Sequence, residues 1–389
     1  MEHANNFITG QTISVDGGLY PRLPGPRTVL GMPEIHAARR RRAQEKIAEV
    51  GADAALITFT TNVLYLTGLS SSNAALLLPA SGTPVLATDS RYALAAERDC
   101  PDVELIVERF IEPRLAADMA ARGLRTVAFE AHEMTVARHA ELAARAEGVT
   151  TIPFGRKIEE LREVKDPAEL ELLASACRIS AQALADVFPL IRPGMTERGL
   201  AMALDRKMAE LGADGPAFQT IVASGPNGAF PHHSPTDRPI RRGDLITMDF
   251  GARFCGYHAD MTRTVALGEL AGWQREIYEL VAAAQRAGID AARPDANVAD
   301  VDAAARDLIR DAGHGDHFQH GLGHGVGLEV HEAPMIGYGK TGKLSPRVPV
   351  TVEPGVYLPG KGGVRIEDVL VVGDNVHLLT TTTRELLVL

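Results

Sequence analysis

Short apolar runs alternate with polar segments along the first half of the chain. Residues 33–50 show the apolar spacing of a helix, and the run at residues 54–59 has the composition of a buried strand. Further apolar runs, each bounded by glycine, proline or aspartate, predict short strands at residues 74–78, 85–88, 103–107 and 126–129. This alternation predicts an α/β domain.

Beyond a charged helical bridge at residues 158–165, the second half repeats one order of elements. Asp166 opens a long amphipathic helix with a sequence typical of a capping box, and a second helix ends at Gly212. A long helix from Trp273 and a second helix that ends at Gly313, 101 residues after Gly212, follow in the same order. A hairpin that bears acidic residues follows each helix pair. The pattern predicts a duplicated helix–helix–hairpin unit.

Each predicted hairpin carries two acidic residues about its turn. Asp249 and Asp260 are centred at position 254.5, beside a glycine, so a tight turn there would place them opposite each other. Glu353 and Glu367 are centred on Gly360 in a glycine-rich loop. Opposed residues of an antiparallel pair point to the same face. We therefore expect each hairpin to present two carboxylates in one direction.

Four carboxylates in one cleft would repel and raise one another's pKa, and metal ions are the usual remedy. His324 lies in the glycine-rich stretch 321–327, where small neighbours allow the backbone to approach closely. Oxygen-rich ligation with a single imidazole suits Mn²⁺, Co²⁺, Fe²⁺ or Zn²⁺. The sequence thus predicts a dinuclear metal site, with ions about 3.5 Å apart that share a water. The alternative is an ion-pair network in which Arg263 and Arg365 are the counter-charges.

Length and charge narrow the class of protein. A chain of 389 residues usually forms two domains, and we place them at residues 33–157 and 158–389. A net charge of −10 disfavours nucleic acid as a partner. Three widely spaced cysteines without a CxxC pair fit a reducing cytoplasm. No stretch approaches the roughly 18 apolar residues of a membrane span.

Residues 1–31 do not fit this organisation. The stretch from Asn6 to Leu19 resembles the extreme C-terminal tail of short-chain dehydrogenases, but the cofactor loop and the Tyr-x-x-x-Lys pair of that family do not follow. We expect residues 1–31 to be a non-native or disordered extension, with Met32 as the native start. A genuine structural extension is the alternative.

Six motifs run in order through the second half: Pro231-His232, Asp249-Phe-Gly-Ala, Gly256-Tyr-His-Ala-Asp260-Met-Thr-Arg-Thr, Gly323-His324-Gly-Val-Gly-Leu-Glu-Val-His331-Glu-Ala-Pro334, Thr351-Val-Glu353-Pro-Gly and Arg365-Ile-Glu367-Asp. Together they resemble the pita-bread metallopeptidases, which include methionine aminopeptidase, aminopeptidase P and prolidase. Residues 33–157 resemble the creatinase-type N-terminal domain of the aminopeptidase P and prolidase branch, at Tyr65-Leu-Thr-Gly68 and Thr88-Asp-Ser-Arg-Tyr92. The fold implied is an α/β creatinase-like domain followed by an α+β pita-bread catalytic domain with a pseudo-twofold internal repeat.

The resemblance also implies roles for the acidic residues. Asp249, Asp260, His324, Glu353 and Glu367 would bind two divalent ions, with Mn²⁺ expected first and Co²⁺, Zn²⁺ or Fe²⁺ as alternatives. Glu353 would also be the general base for a metal-bridging hydroxide that attacks the scissile carbonyl.

The same resemblance assigns histidines to the substrate. His232 and His331 correspond to residues that hold the substrate and stabilise the tetrahedral intermediate, and His320 matches a further active-site histidine of the aminopeptidase P branch. For the remaining histidines that we considered, a surface or loop position is the expectation: His233, His258 and His314.

The resemblance implies a cytoplasmic Xaa-Pro aminopeptidase that releases an N-terminal residue ahead of proline and that forms a homodimer. Prolidase, which cuts Xaa-Pro dipeptides, is the alternative. Several prolidases carry an arginine after the His-Glu-x-Pro motif to pair with the dipeptide carboxylate, whereas this chain has Met335, which favours longer substrates. A creatinase-like hydrolase of small amides and a non-catalytic binding protein are more remote, because such relatives have typically lost metal ligands.

Overall fold

The computed structural model describes residues 33–389, so the extension predicted at residues 1–31 lies outside the described chain. The first half forms one six-stranded sheet and six helices. The strands are β1 (Ala54–Ile57), β2 (Ala74–Pro79), β3 (Val85–Thr88), β4 (Glu104–Val107), β5 (Thr126–Phe129) and β6 (Thr150–Pro153), and the helices are α1 (Pro33–Glu49), α2 (Thr60–Thr67), α3 (Ala93–Asp99), α4 (Ile111–Ala121), α5 (Val136–Arg145) and α6 (Lys157–Glu163).

The strands of this sheet follow the order β4-β3-β2-β1-β5-β6. Strand β1 pairs antiparallel with β2 and parallel with β5, and all four of its residues are buried. A strand that is covered on both faces needs an unbroken apolar run rather than alternation. The five predicted strands are therefore found. Strand β6 was not predicted, because its residues are only partly buried and it ends at Pro153.

The second half contains four long helices and thirteen strands in four antiparallel sheets. The helices are α7 (Pro167–Val187), α8 (Glu197–Glu210), α9 (Gly272–Ala291) and α10 (Val298–Ile309), and the strands are β7 (Gly215–Pro216), β8 (Ile221–Ser224), β9 (Leu245–Phe250), β10 (Ala252–Phe254), β11 (Tyr257–His258), β12 (Met261–Ala266), β13 (Gly323–Gly325), β14 (Glu332–Ile336), β15 (Pro349–Val352), β16 (Gly355–Leu358), β17 (Gly362–Arg365), β18 (Asp368–Val371) and β19 (His377–Leu378).

The duplicated unit predicted from the sequence recurs in the order of these elements. Each copy has a long helix, a shorter helix and a central strand paired antiparallel on both sides: β9 lies between β8 and β12, and β15 lies between β13 and β18. Helices α8 and α10 begin at Glu197 and Val298, with the same spacing of 101 residues. Among residues 33–389, no helix is both long enough and apolar enough to cross a membrane.

The first helix of the second half begins at the predicted capping box. The Asp166 side chain accepts a hydrogen bond from the backbone N–H of Glu169, and the Glu169 side chain accepts one from the N–H of Asp166, both at 2.9 Å. Pro167 occupies the first turn, where its missing N–H costs nothing. Such a cap stabilises a helix by about 1 kcal/mol. Arg39 of α1 pairs with Asp166 at 2.8 Å, so the cap also ties the two halves together.

The two halves share one hydrophobic cluster. Tyr65 and Leu66 of α2 pack in the same buried cluster as Tyr257, Val326 and Leu328 of the second half. The first half is thereby fixed against the strands that carry the candidate site.

The first hairpin has a different register from the one predicted. Asp249 faces Thr262, not Asp260, because the turn is a two-residue loop of Cys255 and Gly256, both with positive φ. That loop centres the hairpin one residue later than the sequence midpoint of the two aspartates. Phe254 accordingly pairs with Tyr257.

The second hairpin has the predicted register. Val352 faces Asp368 in one ladder, and Gly355 faces Arg365 in the next, so Glu353 and Glu367 lie opposite each other between the two ladders. Gly360 lies in the turn with a φ of 74°.

Candidate metal centre and active-site cavity

One cavity of about 820 Å³ opens where the strands of the two repeats approach each other. It is larger than a single water site and falls in the size range of ligand pockets. All of the site residues predicted from the sequence line it: His232, Asp249, Asp260, His320, His324, His331, Glu353 and Glu367.

The two aspartates reach the cavity from the first hairpin. Asp249 lies on β9 and faces Thr262, and Asp260 lies two residues before Thr262, so the two side chains project from the same face as a diagonal pair. Both aspartates are buried. The error in register therefore left the predicted convergence intact, because the shift was an even number of positions.

The two glutamates are held by backbone contacts to other strands. The N–H of Glu353 donates to the carbonyl of Leu322 at 2.8 Å, and the N–H of Glu367 donates to that of Thr262 at 3.1 Å. The Thr262 hydroxyl also donates to a carboxylate oxygen of Glu367 at 2.7 Å. Thr262 thus connects the first hairpin to the second.

His324 on β13 is oriented by its other ring nitrogen. Nδ1 lies 3.0 Å from the carbonyl of Gly325, which requires Nδ1 to carry the proton and leaves the Nε2 lone pair free. Nε2 lies 3.7 Å from Asp260 Oδ2 and 3.5 Å from Glu353 Oε1. The imidazole therefore presents its free nitrogen to the carboxylates.

The glycines beside His324 are required by close packing. A Cβ at position 323 would lie 2.0 Å from the carbonyl oxygen of Thr351, and one at position 325 would lie 2.2 Å from that of Ala333. No side chain fits at these distances. The Gly-His-Gly sequence therefore places the imidazole between two neighbouring strands.

The donor set fits divalent cations. Asp260, His324 and Glu367 each offer a ligand atom, and these atoms lie within 4.8 Å of one another with all three side chains buried. Oδ1 of Asp249 is buried without a hydrogen-bond partner. A buried carboxylate oxygen without a partner is unusual unless an ion binds it. Oxygen-rich ligation with one imidazole suits Mn²⁺, Co²⁺, Fe²⁺ or Zn²⁺.

The carboxylates repel one another as the sequence predicted. Burial, followed by repulsion from Glu367 and Asp249, raises the pKa of Asp260 well above its usual value. Burial and the Glu367 charge likewise raise the pKa of Glu353. Burial and Asp249 raise the pKa of Glu367 to about 8. Cations in this cluster would offset both the burial and the repulsion.

Arginine counter-charges account for little of this cluster. Arg263 donates to Asp368 at 2.7 Å and to backbone carbonyls, outside the site. Arg365 donates to Oδ2 of Asp249 at 2.6 Å. Among residues 33–389, no Lys or Arg forms an ion pair with Asp260, Glu353 or Glu367. A direct ion pair is therefore confined to Asp249. The charge of Arg365 also lowers the pKa of the other three carboxylates, but burial and their mutual repulsion outweigh it.

A hydrogen-bonded chain connects Asp249 with His320. Besides Asp249, Arg365 donates to the hydroxyl of Tyr357 at 2.9 Å, and that hydroxyl lies 2.8 Å from Nε2 of His320. Burial, with the charge of Arg365 next, lowers the pKa of His320 to about 4, so this imidazole is neutral at physiological pH. Sequence reasoning missed Tyr357, because nothing distinguished it from other strand tyrosines.

The other two predicted histidines border the open side of the cavity. The ring of His331 packs edge-on against His324, with centroids 4.3 Å apart. Burial, and then His232, lowers the pKa of His331. His232 and His331 both line the cavity and remain partly exposed, as donors to a substrate must be.

His233 lies in a loop, as expected, and this loop borders the cavity. Its Nε2 lies 2.9 Å from Oε2 of Glu197, and the residue lines the cavity. The fully buried Glu197 also accepts hydrogen bonds from Ser224, Asn227 and Thr236, and so holds the loop that carries His232. Burial raises the pKa of Glu197, but these hydrogen bonds outweigh it and lower the pKa to about 2. In the sequence Glu197 is an ordinary acidic residue of a first helical turn.

His258 and His314 lie outside the cavity. His258 is half-buried next to the carbonyl of Gly327, and His314 contacts His317. His258 lies on strand β11 and not in a surface loop as expected, and the absence of a site role stays a prediction for both histidines.

Lys340 is a cavity residue that the sequence did not indicate. The basic side chains that line the cavity are Arg365, which is buried and engaged with Asp249, and Lys340, which is exposed and forms no ion pair within residues 33–389. The stem of Lys340 lies over Gly337, which in turn packs against Gly321 beside His320. A cation is thus available at the mouth of the cavity.

Four carboxylates and one imidazole on the paired strands of a duplicated α+β unit define a class, the metallopeptidases of the pita-bread fold. The family model of metallopeptidase family M24 matches residues 171–374, and that of the creatinase/prolidase N-terminal domain matches residues 39–164. The chain belongs to metallopeptidase family M24. The resemblance drawn from the motifs, and the fold that it implied, are confirmed.

Several characterised proteins are similar to this chain over most of its length. The Xaa-Pro dipeptidase of Pyrococcus horikoshii is 34% identical over 339 residues, which cover 86% of this chain and 94% of that protein. The structure of the Xaa-Pro dipeptidase from Bacillus anthracis has a TM-score of 0.88 at 32% identity, covering 91% of this chain and all of that one (100%). The X-Pro aminopeptidase from Thermotoga maritima has a TM-score of 0.83 at 34% identity, covering 89% and 100%.

Proposed function

We propose that this protein is a metal-dependent peptidase that hydrolyses the bond before proline in Xaa-Pro dipeptides. The observation that supports it most is the convergence of all five predicted metal ligands on one cavity, with an unpartnered oxygen on Asp249. A creatinase-like hydrolase or a non-catalytic relative would be expected to lack some of these ligands.

The residues that would bind two divalent ions are Asp249, Asp260, His324, Glu353 and Glu367. Ions bound there would lower the pKa of a shared water and polarise the scissile carbonyl. Mn²⁺ is the first expectation, since carboxylate ligands suit it.

Glu353 is the proposed proton carrier. Its carboxylate would take a proton from the attacking water and release that proton to the departing proline nitrogen. His331 and His232 face the open side of the cavity, where their N–H groups would meet the charge that develops on the carbonyl oxygen.

The backbone of proline explains why hydrolysis of an Xaa-Pro bond needs a dedicated site. An Xaa-Pro bond has no N–H and a fixed φ, so a peptidase that grips an extended backbone binds it poorly. Apolar side chains line the cavity beside the polar cluster, and a pyrrolidine ring would pack against them; they are Phe218, Ile221, Val330 and Ile336.

The dipeptide preference rests on the relatives and on Lys340. Two of the three similar proteins described above are dipeptidases. A dipeptide places a free carboxylate one residue beyond the scissile bond, and Lys340 offers a cation for it in a cavity where Arg365 is engaged. This reverses the preference for longer substrates that Met335 suggested.

The aminopeptidase is the second candidate. Met335 is 42% exposed at the cavity, where an arginine would be expected for carboxylate binding. The similarity to the Thermotoga enzyme supports the same activity.

The deciding experiment compares an Xaa-Pro dipeptide with an Xaa-Pro-Yaa-Zaa tetrapeptide of the same first residue, with Mn²⁺, Co²⁺ or Zn²⁺ added. We expect a higher kcat/KM for the dipeptide and no turnover after chelation. A higher kcat/KM for the tetrapeptide would establish the aminopeptidase instead, and no hydrolysis of either peptide would refute both.

A further inference from the structure

A chain of buried polar groups crosses from the first half of the protein to the segment that bears His331. Glu130, after β5, accepts a hydrogen bond from Nδ2 of Asn62 on α2 at 2.6 Å. Oδ1 of Asn62 accepts one from Arg162 on α6 at 2.7 Å. Arg162 then donates to Glu332, the residue after His331, at 2.5 Å. None of these groups lines the catalytic cavity.

The carboxylate of Glu332 organises the segment around His331. Lys165 donates to it at 2.8 Å, and the backbone N–H of Glu329 donates at 3.1 Å. Arg162 reaches the side chain of Glu329 as well, at 2.7 Å. A Cβ on Gly327 would lie 2.8 Å from both the Glu332 carboxylate and the Lys165 stem, so the segment is wrapped closely around this charge.

The basic members of this cluster are buried and paired with Glu332. Arg162 is 2% exposed and Lys165 1%. Burial raises the pKa of Glu332, but Lys165 and Arg162 outweigh it and lower the pKa to about 2. A buried ion cluster of this kind is expensive to disrupt and has a narrow geometry. One terminal nitrogen of the Arg162 guanidinium donates to Asn62 and the other to Glu329 and Glu332, whereas a lysine has a single nitrogen for all three acceptors.

We propose that Arg162 is a positioning residue for His331. It joins the first half of the chain to the turn at residues 329–332 and so holds the imidazole of His331 at the angle that it has against His324. The inference rests on the proposed function, because it assumes that His331 acts on the substrate carbonyl. On this proposal, the first half of the protein helps to position a residue of the active site.

The test compares two arginine-to-lysine variants. Arg39 provides a matched control, since it is also buried, also joins the two halves, and donates to Asp166 and to the carbonyl of Tyr65 away from His331. We expect Arg162→Lys and Arg39→Lys to lower the Tm similarly. Arg162→Lys alone should lower kcat for an Xaa-Pro dipeptide by about 10- to 100-fold, the effect of misplacing a catalytic group by about 1 Å. KM and metal content per chain should stay near the wild-type values.

Equal kcat in the two variants, or a loss of kcat that follows the Tm in both, would overturn the inference and make Arg162 a structural residue only. If Arg162→Lys does not fold, Asn62→Ser is the deciding variant. It leaves the ion pairs of Arg162 in place but removes the amide oxygen that accepts from one terminal nitrogen of the guanidinium. An unchanged kcat in Asn62→Ser would overturn the inference. A wild-type protein that hydrolyses no Xaa-Pro substrate would refute the proposed function, a result separable from either variant.

Discussion

Glu353 has two tasks in the proposed reaction, since it is both a metal ligand and the proton carrier. Glu353→Gln keeps the size of the side chain but cannot accept the proton, so we expect kcat to fall by at least about 10²-fold, as for loss of a general base. Circular dichroism and Tm should show an intact fold. The exposed Glu385→Gln is a suitable control. A variant with more than about a tenth of wild-type kcat would exclude Glu353 as the proton carrier.

Lys340 is the residue on which the dipeptide preference can be tested. Lys340→Met removes the cation and keeps the stem, so kcat/KM for an Xaa-Pro dipeptide should fall by about 10- to 100-fold, the value of one charge-assisted hydrogen bond. Hydrolysis of the Xaa-Pro amide, which has no carboxylate, should be unchanged. Lys343→Met, in the same loop but outside the cavity lining, should affect neither substrate. Equal losses on acid and amide would contradict a carboxylate contact.

The carboxylate cluster predicts the pH dependence of stability without metal. The pKa of Glu367 is raised to about 8, mainly by burial and then by Asp249. A carboxyl group with a folded-state pKa above its unfolded value of about 4.3 contributes stability that is complete below that unfolded value and lost as pH rises towards the folded one. The Tm of chelator-treated protein should therefore fall between about pH 5 and pH 8.

Two controls belong to this measurement. Asp260→Asn removes one charge of the cluster and should flatten the slope, because burial and the neighbouring acids raise the pKa of Asp260 as well. Added Mn²⁺ should raise the Tm more at the upper end of the range, since ions bind the ionised carboxylates. A Tm that rises with pH in the chelator-treated protein would contradict the repulsion between the buried carboxylates.

At the scale of elements, the two hairpins show what local pattern can and cannot predict. The second hairpin followed from symmetry about Gly360, whose φ of 74° suits a glycine turn. The first was predicted in the wrong register, because Cys255 also adopts a positive φ, which few residues other than glycine do. The predicted convergence of Asp249 and Asp260 still holds, because side chains two positions apart along a strand share a face.

Gly323 and Gly360 are each required by the local structure, but for different reasons. Gly323→Ala would place a Cβ 2.0 Å from the Thr351 carbonyl, so β13 must move and carry His324 with it. We expect a loss of about 1–3 kcal/mol in the free energy of unfolding, together with weaker metal binding. Gly360→Ala meets no atom within 4 Å and strains only its turn, so metal binding should persist. Urea unfolding measures the loss of stability, and metal analysis measures the bound metal in each variant. Full metal retention in Gly323→Ala would contradict the expected displacement of His324.

At the scale of the whole molecule, the homodimer implied by the resemblance stays a prediction. Three large apolar side chains of the first half, Leu94, Phe110 and Val136, are between 72% and 88% exposed, and a dimer interface formed by the first half could bury them. We expect light scattering to give twice the chain mass. A monomer at micromolar concentration would refute the prediction. The cytoplasmic location and the domain limits at residue 157 also stay predictions.

The sequence by itself determined the order of elements, the duplication and the identity of the acids and histidines that line the cavity. The elements, the duplication and the acid pairs follow from apolar periodicity, turn residues and spacing, which are properties of neighbouring positions. The substrate histidines His232, His320 and His331 came instead from the resemblance of their motifs to those of a known family. Only the tertiary structure brought Glu197 to the His232 loop, Arg162 to the His331 segment and Lys340 to the cavity mouth. Their partners lie far along the chain and depend on how sheets and helices pack, which no local pattern encodes.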